Sequence, residues 1–252
     1  MNLLTALRKE IIEQWRTSRM LVLLFVLGMF GMLSPLMAKF LPEIMRFVPG
    51  GEQFAVLIPT PTVKDAIDQY MKNIGQFALF LAIFIPMGSV VQEKERGTAI
   101  LMLVKPLGRG SFLLAKFLAL ALSFFVSLGV AGLLGYYYTL FIFGATNAAA
   151  WIGGNLLIWI YCLFYVAVTL LASTISRSQA VAAGAGFGVL LVISILSSIP
   201  GIPPIFPNQL LNWGAELFGN PGTTYWPALI VSLGLMAACL LAAWLSFSQQ
   251  EL

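Results

Sequence analysis

The sequence predicts an all-α polytopic membrane protein, with an N-terminal interfacial amphipathic helix followed by six transmembrane helices. Three observations carry this. Apolar residues make up 60 % of the chain and charged residues only 10 %, against about a quarter charged in an ordinary soluble domain. The charges are spaced at intervals that match bilayer spans. The basic residues then divide unevenly between the two sides that those spans define.

The first element is residues 2–18. Leu3, Leu7, Ile11 and Trp15 recur at i+4, joined by Leu4 and Ile12, while Arg8, Lys9, Glu10, Glu13 and Arg16 fill the other faces. That pattern fits a helix lying in the membrane interface with its cations near headgroups, or a helix docked on another chain. A cleaved leader is not expected, because its charged region would be 19 residues long and would carry Glu10 and Glu13.

The spans follow from the charge intervals. Arg19 to Lys39 encloses 19 uncharged residues, Lys72 to Glu93 encloses 20, and Lys116 to Arg177 encloses 60, room for two helices broken near Gly144-Ala145-Thr146-Asn147. Arg177 to Glu216 encloses 38, cut short by Pro200, Pro203, Pro204 and Pro207, and Glu216 to Glu251 encloses 34, with the last span starting near Trp226. The expected spans are about 20–41, 74–92, 113–143, 151–175, 179–199 and 226–247, in one domain covering 1–252. Ten of the 14 basic residues fall on the side of the termini and of the loops near 93–112 and 176–178. The excess of Lys and Arg puts that side, and both termini, in the cytoplasm.

Between the spans, Pro42, Pro49, Pro59 and Pro61 forbid a continuous helix through 42–61. Thr62-Val63-Lys64-Asp65 reads as a capping box that starts the next helix. Pro86 with Gly88 predicts a kink in the second span. Residues 200–225 pack prolines around a short apolar piece, 209–218, expected to be a helical cap.

Chemistry is nearly absent from this chain. It contains no His, so His-based catalysis and His-ligated metals are excluded. Cys162 and Cys239 sit in apolar stretches and read as small buried hydrophobes. Every Asp, Glu, Lys and Arg falls at a span end or in a loop, which argues against a carrier or enzyme built on buried carboxylates. No Lys is followed by Ser or Thr, so the chain has no GxxxxGK[ST] phosphate loop, and no catalytic, cofactor or metal residue is expected. Nucleic acid is not among the partners the sequence points to.

Small residues mark a different feature. Ala180-xxx-Gly184-xxx-Gly188 lines one face of the fifth span, with Ala182 and Gly186 nearby. Such a stripe lets helix backbones approach closely, either inside one chain or against a second copy. The remaining signal is the loop 93–110. It carries Glu93, Lys94, Glu95 and Arg96, breaks at Gly97, continues in an apolar piece at 98–104, and ends on Pro106. That is the pattern of a docking helix or of a tight turn resting on lipid.

Glu93, Glu95, Arg96, Gly97, Thr98, Pro106, Leu107, Arg109 and Lys116 form E-x-E-R-G-T, an apolar run, P-L-x-R and a following Lys. This resembles the ABC-2 type permease family of ATP-binding-cassette exporters, as does the turn 171–178. Residues 106–110 are locally similar to the permeases of nitrous-oxide-reductase maturation. The resemblance implies the ABC-2 type exporter fold and a permease subunit in a prokaryotic cell membrane. It also implies pairing with a second copy or a related chain, and two ATPase subunits that hold the ATP and Mg. Glu93, Glu95, Arg96, Gly97, Thr98, Ile100, Leu101, Leu103, Pro106 and Arg109 would couple to the ATPase. Ala180, Gly184 and Gly188 would line the dimer and translocation path. The uncharged spans suggest a hydrophobic or amphipathic cargo. The alternative is a membrane anchor or assembly protein that recruits a soluble partner through 93–110.

Overall fold

The structure, a computed structural model, describes residues 3–47, 60–95, 108–201, 203–219 and 222–249, and among these residues it is helical with no strand. In chain order the helices are α1 (Leu3–Arg16), α2 (Arg19–Arg46), α3 (Val63–Phe84) and a 3₁₀ turn at Pro86–Gly88. Then come α4 (Val91–Glu95), α5 (Arg109–Phe143), α6 (Ala148–Ile175), α7 (Gln179–Ser197), α8 (Gln209–Glu216) and α9 (Trp226–Gln249). Six stretches are long and apolar enough to cross a membrane: α2, α3 with its continuation to Glu95, α5, α6, α7 and α9. They fall on the six spans expected from the five charge-free intervals. The end of the bundle that holds residues 93–95, 108–109 and 176–178 is called the loop end below, and the opposite end the far end.

Local chemistry explains the boundaries. At the start of α3, Thr62 N–H donates to Asp65 Oδ2 (2.8 Å) and Asp65 N–H donates to Thr62 Oγ1 (3.4 Å), the expected capping box. Asn147 caps α6 by accepting from Ala149 and Ala150 N–H at 3.0 and 3.2 Å. Gly144, at φ 97°, ends α5 in a conformation that a side chain would strain. The turn from α1 into α2 is made by Ser18 in the left-handed region, at φ 58°.

One expectation fails. Pro42 does not stop the helix: α2 runs through Pro35 and Pro42 to Arg46. Each proline removes only the hydrogen bond its missing N–H would donate, and the helix keeps the others on either side of it. The kink expected in the second span is present as a complete break, where α3 gives way to the 3₁₀ turn at Pro86.

α6 is the central post. It is the most buried of the six and packs against α3, α5, α7, α8 and α9, whereas α7 and α9 lie mostly exposed at the periphery. α2 and α5 form another extensive contact. At Gly31 a Cβ would lie 2.5 Å from the Ala131 carbonyl oxygen, so the two backbones touch. The core side chains include Leu23, Leu27, Tyr70, Phe124, Ile158 and Tyr165, all fully buried. Cys162 is buried among them and Cys239 is half-buried, both as free thiols. α5, at 35 residues, is about 52 Å long, well beyond a bilayer core of about 30 Å. α8 lies across the far end, with Leu210 and Trp213 buried against α6 and α3.

Candidate functional site

The loop end gathers almost every charged side chain that the fold pairs. Its geometry starts with the break at Pro86, which leaves backbone N–H groups free at the start of the next short helix. Ser173 of α6 takes two of them: its Oγ accepts from Val90 N–H at 3.1 Å and from Val91 N–H at 3.2 Å. Lys94 of α4 donates to the Thr174 carbonyl at 2.5 Å, and Arg19 at the head of α2 donates to Gln92 Oε1 at 3.0 Å. A Cβ on Gly88 would lie 3.1 Å from Gln179 Oε1, so the first residue of α7 rests on the break. The root of the loop is thus fastened to α2, α6 and α7 at once.

A buried ionic cluster completes the fastening. Lys116, in the second turn of α5, is 2 % exposed. Its Nζ lies 2.8 Å from Glu93 Oε1 and 3.1 Å from both Glu10 carboxylate oxygens, over the Phe112 ring at 4.9 Å. Lys9 Nζ joins from the rim, 3.1 Å from Glu93, 3.2 Å from Glu10 and 3.1 Å from Glu13. A charge withdrawn from water is tolerated only when paired and hydrogen-bonded, and here three carboxylates share two ammonium groups. Burial works against the charge of Lys9, but Glu10, Glu93 and Glu13 outweigh it and hold the pKa above the ordinary lysine value. Lys9 therefore stays charged across the physiological range. Glu10, Glu13 and Glu93 are close enough together to hold a cation by distance alone, but lysine nitrogens already occupy that role.

This cluster settles how α1 sits. Ala6, Glu10 and Gln14 are buried, while Leu4, Ile12 and Trp15 are exposed. The helix turns its Ala6-Glu10-Gln14 stripe onto α5, where Gln14 meets Ser123, and leaves Leu4, Ile12 and Trp15 on the outer surface. The expectation that its cations face headgroups is corrected for Lys9, which the carboxylates draw inward.

The expected site residues divide accordingly. Arg96, Gly97, Thr98, Ile100, Leu101, Leu103 and Pro106 lie outside the described residues. Glu95 is exposed at the end of α4. Glu93 was expected to find its charge partner on another chain. Instead Lys116 and Lys9 take it, because a carboxylate buried to 7 % exposure needs an internal cation. Arg109 likewise turns inward, donating to the carbonyls of Phe247 (3.0 Å) and Ser248 at the C-terminal end of α9, where a cation is favoured. Ala180 and Gly184 are exposed, and a Cβ on Gly184 or Gly188 would meet nothing within 4 Å. The close approach inside the chain is made by Gly186, where a Cβ would lie 2.8 Å from Thr169 Oγ1 and 3.0 Å from Ile83. Lys9, Glu10, Gln14, Ser173 and Gln179 were missed as members of this site. The Ala6-Glu10-Gln14 spacing was the available signal for α1.

At the far end a set of neutral bonds joins α3, α5 and α6. Tyr70 Oη donates to Asn155 Oδ1 (2.7 Å), Asn155 donates to the Trp151 carbonyl (2.9 Å), and Trp151 Nε1 donates to the Gly132 carbonyl (2.9 Å). Tyr70 and Trp151 rings lie 4.6 Å apart.

Six apolar spans, with the ion pairs among the described residues gathered at one end, define a multi-pass membrane protein. Residues 4–252 match the ABC-2 family transporter protein family, and the chain belongs to it. It is a transmembrane component of a transport system. It is also similar to the uncharacterized transmembrane protein YxlG of Bacillus subtilis (strain 168), 24 % identical over 200 residues that cover 78 % of this chain and 77 % of that protein.

Proposed function

We propose that this chain is the permease subunit of an ATP-driven exporter, set in a prokaryotic cell membrane with both termini cytoplasmic. Two copies, or one copy and a related chain, form the path, and two separate ATPase subunits bind ATP and Mg. The cargo is hydrophobic or amphipathic, in keeping with spans that carry no ionisable group at their centres. The observation that carries the reading is the fastening of the loop root. Glu93 is clamped to Lys116 and Lys9, and the same short segment holds Ser173 of α6 and touches Gln179 of α7. Closure of the ATPases would push on residues 96–107, and this bonded root would pass the displacement to α6 and α7 rather than dissipate it. The outward face with Ala180, Gly184 and Gly188 is where the second permease would pack.

The test is co-expression with an ATPase encoded next to this chain, followed by affinity purification through the permease. Leu101→Ala with Leu103→Ala should release the ATPase and uncouple its hydrolysis from substrate, while Glu95→Gln should leave both nearly intact. Gly184→Leu should weaken permease pairing with normal membrane insertion. Full retention of ATPase and coupling in the double variant would overturn the docking role of the loop. For the orientation, Thr60→Cys in a Cys-free background should label with an impermeant maleimide on intact cells, and Gly108→Cys should not. The reverse pattern would invert the topology.

A further inference from the structure

On the outer surface of the bundle, α5 and α6 leave a groove of about 400 Å³, within the size range of small-molecule sites. Aromatic pairs close both ends: Phe125 against Trp159 (5.3 Å between centroids) and Tyr136 against Trp151 (5.7 Å). Gly129 and Gly132 form the floor between them. The walls are fixed rather than collapsible, because the two indoles are bolted to the opposite helix: Trp159 Nε1 donates to the Ala121 carbonyl and Trp151 Nε1 to the Gly132 carbonyl, both at 2.9 Å.

Those bonds also decide the chemistry. Both indole N–H groups are used, and the Asn155 amide is engaged by Tyr70 and by the Trp151 carbonyl. The lining is almost entirely carbon surface, with the Tyr136 hydroxyl at one end as its main polar group, so water and polar ligands find little to bind. The floor from Phe125 to Tyr136 is about 16 Å long at 1.5 Å per residue, close to half of a bilayer core of about 30 Å. Spread over that length, 400 Å³ leaves a cross-section of about 25 Å², against about 80 Å² for a helix about 10 Å wide. A groove of that length and width takes a single polymethylene chain along its floor.

We propose that this groove is a binding site for one acyl chain of a phospholipid, drawn from the leaflet next to the far end, with the chain lying along Gly129 and Gly132. Leu133, Ile152 and Phe125 are exposed at its rim and give the chain a lateral route from the bilayer.

The test uses the full-length chain in phosphatidylcholine vesicles doped with a phospholipid bearing a mid-chain diazirine, with labelled positions mapped by mass spectrometry. Labelling should concentrate on 125–136 and 148–159, above the level at exposed apolar positions of α9 such as Ile230 and Leu241. A Cβ at Gly129 meets no atom within 4 Å, so Gly129→Phe should fill the groove without disturbing its walls and abolish the excess label. Leu122→Phe, on the exposed face of α5 outside the groove, should keep it. Labelling spread evenly over all lipid-facing helices in the unaltered protein would overturn the proposal. So would excess label that survives Gly129→Phe, or a disulfide between two Gly129→Cys copies, which would make a second chain the occupant. None of these readouts involves an ATPase, so the site can fail while the permease reading stands.

Discussion

The two ends of the bundle are joined by different forces. At the loop end, α1, α4 and α5 meet through Lys116, Glu93, Glu10 and Lys9. At the far end, α3, α5 and α6 meet through rings and neutral hydrogen bonds around Tyr70, Trp151 and Asn155. A buried ionic junction is an all-or-none device: it holds while every charge has its partner, and it leaves a stranded charge when one is removed. A neutral aromatic junction loses one small contribution at a time. The first is brittle to the loss of one partner, the second graded.

The sharpest way to break that contrast is Lys116→Met. It strands Glu93 and Glu10, and by the measure of other buried pairs should destabilise the protein by about 3–5 kcal/mol. Thermal unfolding in nanodiscs reads the loss. Adding Glu93→Gln and Glu10→Gln should recover part of it, because the stranded charges are gone.

At the far end the largest effect should come from volume rather than charge. A Cβ at Gly135 would lie 2.5 Å from the Tyr70 ring and 3.0 Å from Trp151, and Tyr70 is fully buried. Gly135→Ala should cost about 1–3 kcal/mol by overpacking, seen as a lower Tm with helix content unchanged by circular dichroism.

Tyr70→Phe removes only the hydroxyl bonded to Asn155. Hydrogen bonds between membrane helices average about 0.6 kcal/mol, so its Tm should move far less than that of Lys116→Met. A larger drop for Tyr70→Phe than for Lys116→Met would reverse the assignment of the two ends.

Smallest of all, Lys9→Ala at the rim of the ionic cluster should cost about 0–1 kcal/mol. Its effect should shrink further in high salt, whereas that of Lys116→Met should not, since buried pairs are screened less. Unfolding at low and high ionic strength separates the two lysines.

What the sequence determined by itself is everything that depends on one segment and its solvent. Intervals without charge set the six spans, because a charge in hydrocarbon is expensive wherever the chain goes. Thr62 and Asp65 cap α3 because both lie within one turn, and Pro86 breaks α3 because it lacks an N–H. Tertiary structure alone decided the pairings. Glu93 and Lys116 stand 23 residues apart in sequence and Glu10 and Lys116 stand 106 apart, so local pattern could name the charges but not their partners. Periodicity gave α1 an apolar face, yet it was buried Lys116 that drew the opposite, polar stripe inward. Gly184 and Gly186 look alike in the sequence, and only the packing of α7 on Thr169 and Ile83 puts one inside and leaves the other on the surface. Hydropathy belongs to a residue and the water it leaves, whereas a contact belongs to two residues, and distant contacts are fixed only when the helices assemble.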